Sequence, residues 1–413
     1  MLGHANSRRL PVDRPIVHLI GGTRPEAIKL APLAGALRQA GRIQPLLVAS
    51  GQHPAMFQQG LAACGLRPDA AVRVRRVLGS QPELMSQLIT GLDAHLDRHR
   101  ADAVVVQGDT TTALAAALSA FWRRVPVVHL EAGLRSHDLA APFPEEANRR
   151  LIDQLAAIHL APTPRAAANL AREGLPNDSV LVIGNTVVDA VLDVTGRPAL
   201  DVDLRLLALE RRAAAGRCRL VLVTVHRRES WGAPLDRVLA AVSEIVARHR
   251  DVEVVLPAHP NPAVRAQVAV ALGGQPRVLV TEPLPYPQLS RLLAASTLVL
   301  SDSGGLQEEA PSFGVPVLVL REVTERVEAI EAGCAVLLGT DRDAIVHTAT
   351  RLLADEDARV AMTAVGNPFG DGLAGVRAEQ ALAWMLGLCS APPEEFQPRQ
   401  VLDRQTAVLR TVE

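Results

Sequence analysis

Three carboxylates, one lysine and two glycine-rich turns are the groups of this sequence best placed to do chemistry together. The apolar run Ile16–Ile20 ends in Gly21-Gly22-Thr23-Arg24-Pro25-Glu26, and Lys29 follows three residues later. Two glycines let a backbone turn tightly and approach a ligand. Thr23 and Pro25 suit the start of a helix. With Arg24, Glu26 and Lys29 beside it, the turn favours an anionic ligand over a plain loop. It is neither G-x-G-x-x-G nor a Walker A loop, so no nicotinamide cofactor is indicated. Asp109 follows the run Ala103–Gln107 and precedes three threonines. Alone it reads as a helix cap; with partners it can be a general acid or base. Glu131 ends the run Val125–Leu130, and Glu145 opens a helical pattern after Pro142 and Pro144, where acids often only complement the helix dipole. In one cleft the three carboxylates would raise one another's proton affinity, which separates a base from an acid.

The second half carries its own set. His226 leaves the run Leu220–Thr224, flanked by Arg227 and Arg228. A strand-end histidine is usually structural; this setting also allows a general acid or a phosphate donor. His259 lies at the next strand end. Ser301-Asp302-Ser303-Gly304-Gly305 then leads into a helical pattern, so amides and serine hydroxyls at a helix start could cradle a diphosphate. Glu309, one turn in, could hold ribose hydroxyls, and Arg321 and Arg326 bring positive charge to the same edge.

The background is ordinary. The chain has 413 residues, 48% hydrophobic and 21% charged, with net charge −1. This excludes a basic nucleic-acid surface and an acidic interaction tail. Lys29 is the only lysine; all other permanent side-chain cations are arginine. Arginine and lysine differ in shape and donor geometry, so a lone lysine marks either a place where a guanidinium does not fit or an accident of composition. Cys64, Cys218, Cys334 and Cys389 form no C-x-x-C pair, so neither zinc nor a disulfide framework is suggested. Buried thiols, no apolar h-region and no run of about 18 apolar residues give a cytoplasmic expectation with no membrane partner.

Alternating short apolar runs and helical patterns position these residues. Further expected strands are Leu46–Ser50, Ala157–Ala161, Val180–Ile183, Val252–Pro257, Arg277–Thr281, Thr297–Ser301, Pro316–Leu320 and Ala335–Leu338. The pattern predicts βαβ units with parallel sheets covered on both faces. A dozen strands exceed one sheet, and a turn-rich break falls at 189–218. The reading is an α/β protein with two doubly wound, Rossmann-like domains, 15–190 and 191–374, meeting at that break, with an amphipathic helix at 377–388 and tails at 1–14 and 390–413. The last tail is expected to be loosely ordered.

Taken together, residues 16–388 closely resemble the non-hydrolysing UDP-N-acetylglucosamine 2-epimerases. The motifs are Gly-Thr-Arg-Pro-Glu-Ala-Ile-Lys at 22–29, Gly-Asp-Thr-Thr-Thr at 108–112, Glu-Ala-Gly-Leu-Arg at 131–135 and Pro-Glu-Glu-Ala-Asn-Arg at 144–149. They continue with His-Arg-Arg-Glu-Ser at 226–230, Asp-Ser-Gly-Gly-Leu-Gln-Glu-Glu-Ala-Pro at 302–311 and Asn-Pro-Phe-Gly-Asp-Gly at 367–372. The resemblance implies a GT-B fold whose two domains face a central cleft, with the last helix, 375–389, returning to the first domain; it also implies a UDP-N-acetylhexosamine substrate, no metal or NAD cofactor, and a homodimer. It implies elimination of UDP to a 2-acetamidoglucal and re-addition after protonation on the other face of C2. Asp109, Glu131 and Glu145 resemble the catalytic acids, with Glu131 as the C2 base. Arg24, Lys29, Arg149 and His226 resemble partners of the diphosphate; Ser303, Gly304, Gly305, Glu309, Arg321 and Arg326 resemble the UDP cradle. Gln52, Gln81 and His259 match polar positions of an allosteric UDP-GlcNAc site found in some members, although Ala55 and Ser80 replace longer polar residues there. Val327 stands where the family has proline. The rival readings are a hydrolysing epimerase releasing ManNAc, a GT-B glycosyltransferase, and a silent UDP-sugar-binding regulator.

Overall fold

The computed structural model describes residues 14–198 and 203–399. Runs of valine, leucine and isoleucine with no polar alternation form strands buried on both faces, and each is followed by a helix that covers it. The first sheet holds β1 (Ile16–Gly21), β2 (Gln44–Ala49), β3 (Ala70–Ala71), β4 (Ala103–Gln107), β5 (Val127–Leu130), β6 (Ile158–Ala161) and β7 (Val180–Val182), in spatial order 3-2-1-4-5-6-7. The second holds β8 (Arg219–Thr224), β9 (Val252–Pro257), β10 (Val278–Thr281), β11 (Leu298–Ser301), β12 (Val317–Val319) and β13 (Ala335–Leu337), in order 10-9-8-11-12-13. The strand pairs are parallel, with Ile20 opposite Val106 across β1 and β4, and Ser301 opposite Thr224 across β11 and β8. The strand order reverses between β1 and β4 and again between β8 and β11. Such switch points open a crevice at the carboxyl ends of the strands.

The expected strands form; Ala103–Gln107 and Val252–Pro257 keep their bounds, and the others shift by one or two residues at one or both ends. β3 was not anticipated: two alanines carry no strand signal, and only pairing with Val48 and Ala49 defines them. The expected break at 189–218 is occupied at its start by a helix, Thr186–Thr195. Its Val187, Val188 and Ala190 pack, together with Ile28, against Leu222, Val299 and Phe369 of the second body. An apolar seam therefore joins the two sheets.

The returning helix spans Ala374–Met385. A Cβ at Gly375 would fall 2.9 Å from the backbone of Pro32, so glycine lets this helix lie directly on the first one, Arg24–Ala40. Asp189 accepts the amides of Ala374 (3.2 Å) and Gly375 (2.8 Å), and Arg42 grips Glu379 through two 2.7 Å bonds. The expectation of a loose tail needs correction over 390–399: Phe396 is buried, its amide donates to Val182 at 2.8 Å, and Glu395 accepts the Val182 amide at 3.0 Å. The remainder of the expected tails, 1–13 and 400–413, lies outside the described residues. Cys64, Cys218 and Cys334 are buried free thiols as expected, while Cys389 is partly exposed.

Candidate active site

Glu26 turns back over the first glycine turn. Its Oε2 accepts the amides of Gly22 (3.0 Å) and Thr23 (2.7 Å), and its Oε1 accepts the Thr110 hydroxyl at 2.7 Å. It fastens the β1 turn to the β4 loop and is not free for a ligand. Lys29, further along the same helix, donates to Glu131 Oε1 and lies 3.5 Å from Glu308 Oε2 in the second body. Gln107 donates to Glu131 Oε2 at 2.5 Å, and Asn185 donates to its Oε1 at 3.1 Å. Glu131 itself has φ = 66°, the left-handed region that costs a non-glycine residue about 1–2 kcal/mol. Such strain, held by surrounding contacts, clusters at functional sites. Burial opposes the charge of Glu131, but Lys29, with Arg326 and Asn185, outweighs it and holds the carboxyl below its ordinary value. Burial likewise opposes the Lys29 ammonium, and Glu131 and Glu308 overcome that too, so its pKa is raised.

Asp109 is gripped by Arg149 through Nε at 3.0 Å and through Nη2, while Asn148 donates to its carbonyl at 2.8 Å. Arg149 also donates to Glu146 at 3.2 Å. The nearly buried Arg149 guanidinium thus bridges two carboxylates, and it does not line the cavity that Arg24 and Lys29 line. The Glu145 side chain makes no hydrogen bond or ion pair among the described residues; it opens the helix Glu145–Asp153. Behind them His129 donates to the Gly108 carbonyl at 2.8 Å and pairs with buried Asp153 at 2.6 Å; Arg135 bonds Asp153 and Glu173. That network braces the Asp109 turn.

The opposite wall comes from the second switch point. His226 Nδ1 lies 2.8 Å from Oδ1 of fully buried Asp302. Asp302 also accepts the amides of His226 (3.0 Å) and Arg227 (2.9 Å) and the Ser230 hydroxyl (3.0 Å). The ring is thereby fixed and half of it stays exposed. The helix Gly304–Glu309 begins at Ser303, and its first amides have no carbonyl behind them. A Cβ on Gly304 would sit 3.2 Å from the Arg326 guanidinium carbon, so glycine allows this cation to lie over the turn. Glu309 is buried. Burial first, then the charge of Glu308, pushes its pKa up to about 8, so at neutral pH it keeps a proton to donate.

Between the walls lies a cavity of ≈ 390 Å³. Arg24 and Lys29 line it from one side, His226, Ser303, Gly304, Gly305, Glu309 and Arg326 from the other, with Tyr286 and Leu289 at an apolar end. A larger cavity, ≈ 580 Å³, follows edge strand β10; Arg205 lines it with Arg265 and Glu282, and the last two pair with each other. Arg321 is not brought to the cradle. It faces a separate cavity with Glu229 and Arg237 and bonds Glu325 at 3.0 Å. Gln52 accepts the Thr112 hydroxyl at 2.7 Å, and Gln81 accepts that of Thr111 at 3.3 Å. Those two meet the start of one helix, Thr111–Trp122, while His259 packs at a tilt against Trp231, centroids 5.2 Å apart, in the other body. Sequence reasoning missed Gln107, Asn185, Asp302 and Glu308 as partners. Gln107 and Asn185 lie at or just past strand ends, the signal that exposed Glu131.

Two parallel doubly wound sheets whose switch points face one nucleotide-sized cleft, with Arg24 and Lys29 on one wall, Glu131 paired to Lys29, and a glycine turn on the other wall, define a GT-B protein of the nucleotide-sugar kind. The chain belongs to the UDP-N-acetylglucosamine 2-epimerase family, whose sequence model matches residues 35–383. It is 45% identical over 372 residues to the probable UDP-N-acetylglucosamine 2-epimerase of Ralstonia nicotianae, covering 89% of this chain and 98% of that one. The crystal structure of a Listeria monocytogenes protein described as a UDP-N-acetylglucosamine 2-epimerase superposes with TM-score 0.86 at 38% identity, over 93% of this chain and all of the other. The Neisseria meningitidis UDP-GlcNAc 2-epimerase, solved with UDP-GlcNAc bound, gives TM-score 0.77 at 36% identity, over 87% and 97% of the two chains.

Proposed function

We propose that this protein interconverts UDP-GlcNAc and UDP-ManNAc without hydrolysis. Glu131 takes the C2 proton, the C2–H electrons form the C1=C2 bond, and the C1–O bond to the β-phosphate breaks. UDP leaves and a 2-acetamidoglucal stays in the cleft. In the return step a proton reaches C2 on the other face and the UDP oxygen attacks C1. Asp109 and Glu145 are the acids assigned to that face.

The observation that carries this reading is that Lys29, which lines the cavity with the Ser303–Gly305 cradle, pairs with Glu131. It joins a carboxylate base to an anion site through one ammonium. The C2 proton is weakly acidic, so elimination needs both a positioned base and charge stabilisation of the leaving diphosphate. Lys29, Arg24 and Arg326 supply that charge, His226 lines the same cavity, and protonated Glu309 supplies a donor for the ribose. Tyr286 and Leu289 offer an apolar end for the base. Product analysis tests it: purified protein given UDP-GlcNAc should yield UDP-ManNAc by NMR. Free ManNAc and UDP as main products would identify a hydrolase instead.

A further inference from the structure

Glu308 has no part in proton transfer at C2, yet it stands between the two cations nearest the leaving group. Its side chain is 3% exposed. Oε1 accepts Arg326 Nε at 2.9 Å; Oε2 lies 3.5 Å from Lys29 Nζ and has no hydrogen-bond partner among the described residues. Lys29 comes from the first body, Glu308 and Arg326 from the second, and the other partner of Lys29 is Glu131. Two positive and two negative groups thus gather beside the cavity, and Arg326 lies over Gly304 of the cradle.

A carboxylate is a costly choice at the edge of an anion site, because at close range in a buried setting it repels the ligand. A glutamine would fill the same volume, and its carbonyl would still accept from Arg326. What remains to be explained is the charge. We propose that Glu308 is a positioning counter-charge for a nucleoside diphosphate. In the empty cleft it neutralises Lys29 and Arg326 and holds the two bodies together through Lys29. With the diphosphate bound, it opposes the ligand. The departed UDP is then held firmly enough to leave C1 and loosely enough to return, since over-tight binding of an intermediate deepens a well that the next barrier must climb out of. The inference rests on reading the cleft as a UDP-sugar site.

The test is the sign of a change in UDP affinity, measured by calorimetry on the full chain. Glu308→Gln should bind UDP about tenfold more tightly, because one repelling charge is gone. Its kcat and KM should fall together, while Glu308→Asp stays near wild type in both. A residue that merely organised its neighbours would move the other way, since misplaced cations bind UDP less well. Unchanged or weaker UDP binding by Glu308→Gln, with wild-type circular dichroism, overturns the proposal. If that variant does not fold, Glu308→Ala is read for the same sign. Failure of the wild-type protein to bind UDP would sink the reading of the cleft itself, a result distinct from normal wild-type binding with an unaltered variant.

Discussion

Lys29 sits where a wider head group has no room. Its ammonium reaches two carboxylates from two bodies in a pocket that leaves 11% of the side chain exposed. A planar guanidinium on a longer stem cannot occupy that point without moving one of them. Lys29→Arg should therefore keep the fold and lose about 100-fold in kcat, the scale of one lost oxyanion donor; full activity would show that charge alone matters. Glu309 gives a pH signature. As pH rises through about 8 the carboxyl ionises and puts a new negative charge beside the diphosphate. UDP affinity should fall across that limb, and Glu309→Gln should flatten it; a limb that persists in the variant belongs to another group. The strand-end acids and Lys29 were legible in the sequence because doubly wound sheets present such residues to ligands. Arg321 faces another cavity; sequence shows a cation near an edge but not which carboxylate claims it. Glu308 was hidden beside Glu309, and only the fold tells that the two face different partners.

Elements were legible where long apolar runs compelled them. β3 and the docked segment at Phe396 were not, because each is defined by a partner strand remote in sequence. The Ala374–Met385 helix is the element on which the first body leans. Leu382 is fully buried there, so Leu382→Ala should cost about 2–5 kcal/mol, measured by urea unfolding. A second element carries a pH term. His18 on β1 and His95 on the Gln81–Arg98 helix are buried with ring centroids 5.1 Å apart, and burial lowers each pKa to about 4. Asp102, Arg98, Arg100 and His99 also face this pair. The unfolded chain takes up these protons near 6.5 and the folded chain not until about 4. Stability should thus be lost as pH falls from about 6.5 to 4, with no further loss from this pair below that. Urea midpoints at pH 7 and 5 measure it, and His95→Gln should remove part of the drop. An equal drop in that variant would clear the pair of the effect.

At the scale of the molecule, the cleft is bounded by contacts that cross between bodies. Thr163 donates to Glu328 at 2.8 Å, Arg165 pairs with Glu331 at 2.5 Å, Lys29 reaches Glu308, and Ile28 and Val187 enter the second core. Sequence alone led each sheet to its own switch point. It carried no information on how the two crevices meet, which came only with the family resemblance and the assembled fold. That meeting is what makes elimination and return within one site reasonable, since a glycal and UDP must be kept from water between the steps. The most direct measurement is turnover of UDP-GlcNAc in D2O followed by proton NMR. The account predicts that UDP-ManNAc accumulates with deuterium at C2, that label also enters the remaining UDP-GlcNAc, and that Glu131→Gln does neither. UDP-ManNAc formed with its original C2 proton, or wild-type exchange in Glu131→Gln, would contradict it.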